Sequence, residues 1–170
     1  MRGELRGDDW ILTDISEVEW YMLAQLPQAA NASHSERGLR RLFPDVTDTA
    51  HAEICDDWKQ FVQPEIAERF SREIQSVAAD LQRVEELRAR RGKEPLRRLR
   101  IPLSQAETWY SVLNQARLIL NEDHEIASTE HQLLFGTRHP GEIDEQRWLL
   151  LVQFRVYSAI QEFLLSQLIQ

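Results

Sequence analysis

Along much of this chain apolar residues recur every three or four positions, the spacing of one face of an α-helix. The clearest run is Ile66, Phe70, Ile74, Val77, Leu81, Val84 and Leu87. Pro64 precedes it where a first helical turn accepts proline, and Gly92 follows as a stop. A helix is therefore predicted from Pro64 through Leu87. A second run spans Leu103 to Leu120. Ser104 and Glu107 make a capping box at its start, and Trp109, Val112, Leu113, Ala116 and Leu120 form its apolar face. Asn114 and Arg117 lie three apart on that helix and so side by side. Polar residues in so apolar a helix need partners. Both are expected to be largely buried and bonded to neighbouring elements, Arg117 to an acid.

Shorter patterns fill the rest. Ser16 and Glu19 form another capping box, opening a helix to Leu26 whose stripe is Val18, Met22 and Leu26, and Pro27 ends or bends it. Leu39, Leu42 and Phe43 suggest a single turn before Pro44. Asp48 caps a helix to about Phe61, with Ile54, Trp58 and Phe61/Val62 along one face. A short helix fits Ile126–Phe135, with Gly136 as its stop, and Asp144 caps a last helix to Leu168. That last helix is apolar on more than one face, so it is central to the bundle or shared with a second subunit. Residues 2–13 differ. Gly7-Asp8-Asp9 is turn chemistry and Trp10-Ile11-Leu12 is β-prone, which predicts a hairpin. The fold expected is mainly α. It is a single-domain bundle of about five helices over residues 1–170, with a small N-terminal β-hairpin, and residues 93–102 serve as a basic connector.

Composition narrows the class. Glycine and proline number six each, too few for a loop-rich or all-β chain. The single cysteine, Cys55, excludes an internal disulfide and suits a reducing cytoplasm. No signal-peptide core and no membrane-length apolar run is present, so no membrane partner is expected.

The net charge of −8 opposes nonspecific nucleic-acid binding by the whole surface. The charge is unevenly spread. Arg88, Arg90, Arg91, Lys93, Arg97, Arg98 and Arg100 face a single acid, Glu94, within the same stretch. Such a segment is suited to phosphates or to an acidic protein surface. The plainer reading is a helix C-terminus with cations against its dipole, followed by a solvated loop. No aromatic residue interleaves with these cations, which disfavours stacking on single strands.

Two groups have metal-ligand chemistry. His51 and Cys55 stand four apart, and Glu122, Asp123, His124 and Glu125 precede Glu130 and His131. The first lacks further ligands. The second lacks the Glu-x-x-His pairs of a di-metal bundle. Neither phosphate-binding glycine loops nor a nucleophile elbow occurs. No metal, cofactor or catalytic residue is assigned.

Three boxes carry a resemblance. They are Ile15-Ser16-x-x-Glu19, Arg41-Leu42-Phe43-Pro44, and Trp109-x-x-x-Leu113-Asn114-x-x-Arg117-Leu118-x-Leu120. Over residues 10–121 the chain resembles an uncharacterised bacterial family of small helical proteins known only as a domain of unknown function. Family members typically continue with Gly-Thr-Arg after the third box. Here Asn121-Glu122-Asp123 follows, and Gly-Thr-Arg comes later at Gly136–Arg138. The resemblance implies no activity. The function expected first is a non-enzymatic interaction or regulatory module of the bacterial cytoplasm. It would be a homo-oligomer through its C-terminal helix, with an acidic protein as a further partner. The alternative is a nucleic-acid-binding regulator using residues 88–100, and an enzyme or metal-binding helical protein comes third.

Overall fold

The computed structural model describes residues 1–45, 52–87, 95–137 and 139–168. The hairpin is there: β1 (Arg2–Arg6) and β2 (Asp9–Ile15) pair antiparallel, with Gly7 at φ +60° in the turn. It is half of a larger sheet. Two further strands, β3 (Glu85–Leu87) and β4 (Leu96–Pro102), extend it in the order β1-β2-β4-β3. The expected basic connector is thus, over residues 96–102, a strand, and the last predicted helical turn is another. The reason lies in β4. Arg97, Leu99 and Ile101 face inward and are buried, while Leu96 and Arg100 face out. This period-two alternation was hidden behind the arginines. Across from it Glu85 pairs with Arg98 and Glu86 with Arg97, placing opposite charges side by side. In β2 the register shifts between Leu12 and Ile15, where Asp14 takes a left-handed φ of 55°.

Helices dominate the remainder. In α1 (Glu17–Ala24) the Ser16–Glu19 capping box forms in both directions. Its buried face is Met22 and Leu23, whereas Val18 is exposed, so the predicted stripe is rotated. Pro27 sits in the first turn of α2 (Leu26–Ala29), and Ser35 caps α3 (Glu36–Leu42) by accepting from the Gly38 N–H.

Two predicted helices prove continuous. The segment α4 (Ala52–Asp57) runs into a π-helical turn (Trp58–Val62) and then into α5 (Gln63–Leu81). Pro64 lies inside the run instead of starting a new helix. A mid-helix proline removes a donor and crowds the preceding turn. Here that turn is widened, and the Gln63 N–H reaches back five residues to the Trp58 carbonyl.

The core gathers around α6 (Ala106–His124), whose Trp109, Val112, Leu113 and Ala116 are wholly shut in. Its predicted Ser104–Glu107 box is absent. Leu103–Gln105 is a 3-10 turn, pinned where the Leu103 N–H donates to the Asp8 carbonyl, and the helix starts without a side-chain cap. Next come α7 (Ile126–Leu134) and α8 (Glu145–Leu168). As predicted, the Asp144 carboxylate accepts from the Arg147 N–H at the start of α8. Leu151, Phe154, Tyr157, Ile160 and Leu164 of α8 are buried within this one chain. Phe163 lies over Gly3 and edge-on to Trp10, with ring centroids 5.0 Å apart. The apolar breadth of α8 is therefore largely consumed by its own sheet and helices.

Candidate interaction surfaces

The basic segment divides. Arg88, Arg90, Arg91 and Lys93 lie outside the described residues. Arg97, Arg98 and Arg100 stand on β4, where each is engaged. Arg97 is 9% exposed. It donates to Glu17 at 2.5 Å and Glu86 at 3.3 Å and lies over the Trp20 ring. Arg98 and Arg100 both approach Glu85, and Arg100 also meets Asp9 at 3.9 Å. In place of an exposed basic loop, these three cations bind β4 to its neighbours.

The polar residues of α6 are placed unequally. Arg117 is half-buried. Its Nη1 donates to the Gln161 side-chain oxygen on α8, its guanidinium lies 5.0 Å from the Phe154 ring, and its Nε–H is enclosed without an acceptor. Its partner is an amide, where an acid was expected. Asn114 is also half-buried, and its side chain bonds to no other element among the described residues.

Apart from Trp109, the ties between α5 and α6 run through residues that the sequence did not single out. Trp109 Nε1 donates to Asp80 at 2.9 Å. Ser111 and Gln115 both donate to Glu73 Oε2, at 2.6 and 3.2 Å. Ser76 donates to Gln105. Polar positions interrupting the α5 stripe beside its most buried turns were the available signal. Arg41 of the Arg-Leu-Phe-Pro box approaches Glu122 at 3.5 Å, and Phe43 packs on Phe70 with centroids 5.8 Å apart. That box therefore joins the end of α3 to both long helices.

A family model for a domain of unknown function, DUF2017, matches residues 3–168. The chain belongs to that family. The match takes in all three boxes and continues past Leu120 through the Asn121-Glu122-Asp123 departure. Nothing among curated proteins and nothing among solved structures matches this DUF2017 chain.

Two surface features remain. A groove between α3, the end of α6 and the start of α7 is lined by Arg37, Arg40, Arg41, Glu122, Glu125 and Ser128. Its charges largely answer one another, since Arg37 donates to the Glu122 carbonyl and Arg40 pairs with Glu36. Cys55, Glu122, His124 and His131 do not converge. Among the described residues no three His, Cys, Asp or Glu side chains gather as a metal ion requires, and His51 lies outside them. No described helix is long and apolar enough to cross a membrane.

The other feature is the helix through α4 and α5. No side chain described between Glu53 and Ser76 is buried. Yet this stretch carries Ile54 at 54%, Phe61 at 60% and Val62 at 38% exposure, with Trp58 beside them. The stripe continues through Ile66, Phe70 and Ile74 into buried Val77 and Leu81. One amphipathic face is thus core at its C-terminal end and bare at its N-terminal end. The sequence identified the stripe as two pieces on two helices and did not say which part is covered.

Proposed function

We propose that this protein is a non-enzymatic interaction module of the bacterial cytoplasm, and that the N-terminal half of the α4–α5 helix is its binding element. The observation that supports this is the bare apolar face of Ile54, Phe61 and Val62, with half-buried Trp58 beside them. Contiguous exposed apolar surface rimmed by charge is the usual mark of a recognition site. Amphipathic helices bind by such anchors, spaced at three and four residues. Aromatic residues contribute most of the energy in such contacts. The C-terminal helix is the weaker candidate, because its apolar residues are largely spent internally. The nucleic-acid reading draws no support from Arg97, Arg98 and Arg100, each held by a carboxylate.

The test is Phe61→Glu together with Trp58→Ala. Both variants are expected to keep the wild-type circular dichroism and melting temperature, since neither side chain is in the core. Both are expected to lose every association the wild type makes, with itself or with other proteins. Sedimentation of the pure protein and cross-linking in cell extract would measure this. A wild type that associates with nothing, or variants that associate as it does, would overturn the reading.

A further inference from the structure

Resting on that reading of the α4–α5 helix, we infer that the occupant of its bare face is a second copy of the same helix, running antiparallel.

The argument is electrostatic and geometric. The opening turns are acidic apart from Lys59, which pairs with Asp45, and both arginines of the helix come later, among Glu65, Glu68 and Glu73. Glu53, Asp56 and Asp57 occupy the opening turns, and none closes an ion pair among the described residues. Arg69 and Arg72 follow, with side chains 60% and 69% exposed. Among the described residues their ion pairs are loose ones within the same helix, to Glu73 at 3.7 Å and Glu68 at 3.9 Å. Exposed pairs of that kind contribute little and are readily exchanged.

A parallel partner would set acids against acids. An antiparallel partner, related by a two-fold axis beside Val62 and Gln63, sets Glu53 across from Arg72 and Asp56 across from Arg69. Each pair then forms twice, as in any isologous contact. The same axis brings Phe61 and Val62 together at the centre and lays Trp58 near Ile66. The same axis sets Asp57 across from Glu68, so each copy gains two attractive contacts and one repulsive one, whereas a parallel partner would make every contact between like charges. The π-helical turn lies at the proposed axis. Its wider spacing keeps Ile54 and Trp58 in line with Ile66 across the five residues that separate Phe61 from Ile66. From Ile54 to Phe70 the stripe is about 24 Å long at the α-helical rise. Such a contact lies near the roughly 1,000 Å² at which specific interfaces begin, so the dimer is expected to be weak and concentration-dependent.

Sedimentation equilibrium of the full chain across a wide concentration range reads this directly. The mass is expected to rise from the 20.0 kDa monomer toward twice that value. Phe61→Glu is expected to abolish the rise. So is the pair Arg69→Glu with Arg72→Glu. Mixing that pair with Glu53→Arg plus Asp56→Arg is expected to restore a heterodimer. Orientation is read at Cys55, the chain's only cysteine. A spin label there should give a label-to-label distance of about 25 Å in the antiparallel pair and about 10 Å in a parallel one.

A wild type monomeric at every concentration, an undisturbed dimer in Phe61→Glu, a failed rescue or the short distance each overturns the second copy. If the pure protein stays monomeric while a different protein cross-links to residues 52–62 in extract, and Phe61→Glu loses it, only the second copy is overturned. A wild type that makes neither association overturns the interaction reading as well.

Discussion

Trp109 Nε1 donates a 2.9 Å hydrogen bond to Asp80 Oδ2, and both side chains are shut away from solvent. That bond fastens α5 to α6 at the turn where the long helix first enters the core. Trp109→Phe keeps most of the packing and removes the donor. It leaves the Asp80 carboxylate with Arg83, at 3.3 Å, as its remaining side-chain partner among the described residues. Urea denaturation should show a loss of about 1–3 kcal/mol, the cost of an unmet buried polar group.

Gly3 is the point where β1 passes beneath α8. A Cβ built there would lie 2.3 Å from Phe163 Cζ. Gly3→Ala should therefore destabilise the protein by about 1–3 kcal/mol, although alanine suits a strand better than glycine. In a Phe163→Leu background the same change should be nearly neutral. A thermal-melt double-mutant cycle would detect the coupling.

Acid should weaken the opening of α1. Burial pushes the Glu19 carboxyl up, but hydrogen bonds from the Ser16 backbone, the N-terminal ammonium and the Ser16 hydroxyl outweigh it, and the group sits below its ordinary value of 4.5. A carboxyl with a lowered folded value adds stability above the unfolded value and loses it as pH falls through the folded one. Glu19→Gln should thus melt below the wild type at pH 7, and the gap should narrow as pH falls below 4.5.

Arginines of β4 should not be equivalent. Arg97 is buried and charge-bonded to two acids, while Arg100 is half in solvent. Arg97→Ala is expected to cost about 2–3 kcal/mol by denaturant titration, in the range of hydrogen bonds to charged groups. Arg100→Ala should cost less than about 1 kcal/mol.

The helices were legible because their apolar spacing is long and repeated, and the hairpin because Gly7-Asp8-Asp9 is turn chemistry. The strand at Leu96–Pro102 was not. Its inward positions include Arg97, and a buried arginine does not register as an apolar alternation. The strand at Glu85–Leu87 was lost for a related reason. Val84 and Leu87 continue the helical spacing, and only pairing with β4, the next element along the chain, decides against the helix. Ser104 and Glu107 spell a capping box, yet the bond from Leu103 to Asp8 sets the backbone differently. At the proposed binding surface the pattern named Ile54, Trp58 and Phe61 correctly as one face. It could not tell core from surface, because period reports which residues share a side and not what lies opposite.

The strand order β1-β2-β4-β3 also bears on how the protein ages in solution. Open sheet borders are templates on which further strands accrete into fibrils. Here one border is β1, whose five residues carry Arg2, Glu4 and Arg6, with Arg2 and Arg6 both in surface ion pairs. The other is β3, only three residues long and opening with two glutamates. Charge guards the first border and brevity the second. Prolonged heating short of unfolding should therefore leave the protein free of thioflavin-binding aggregate.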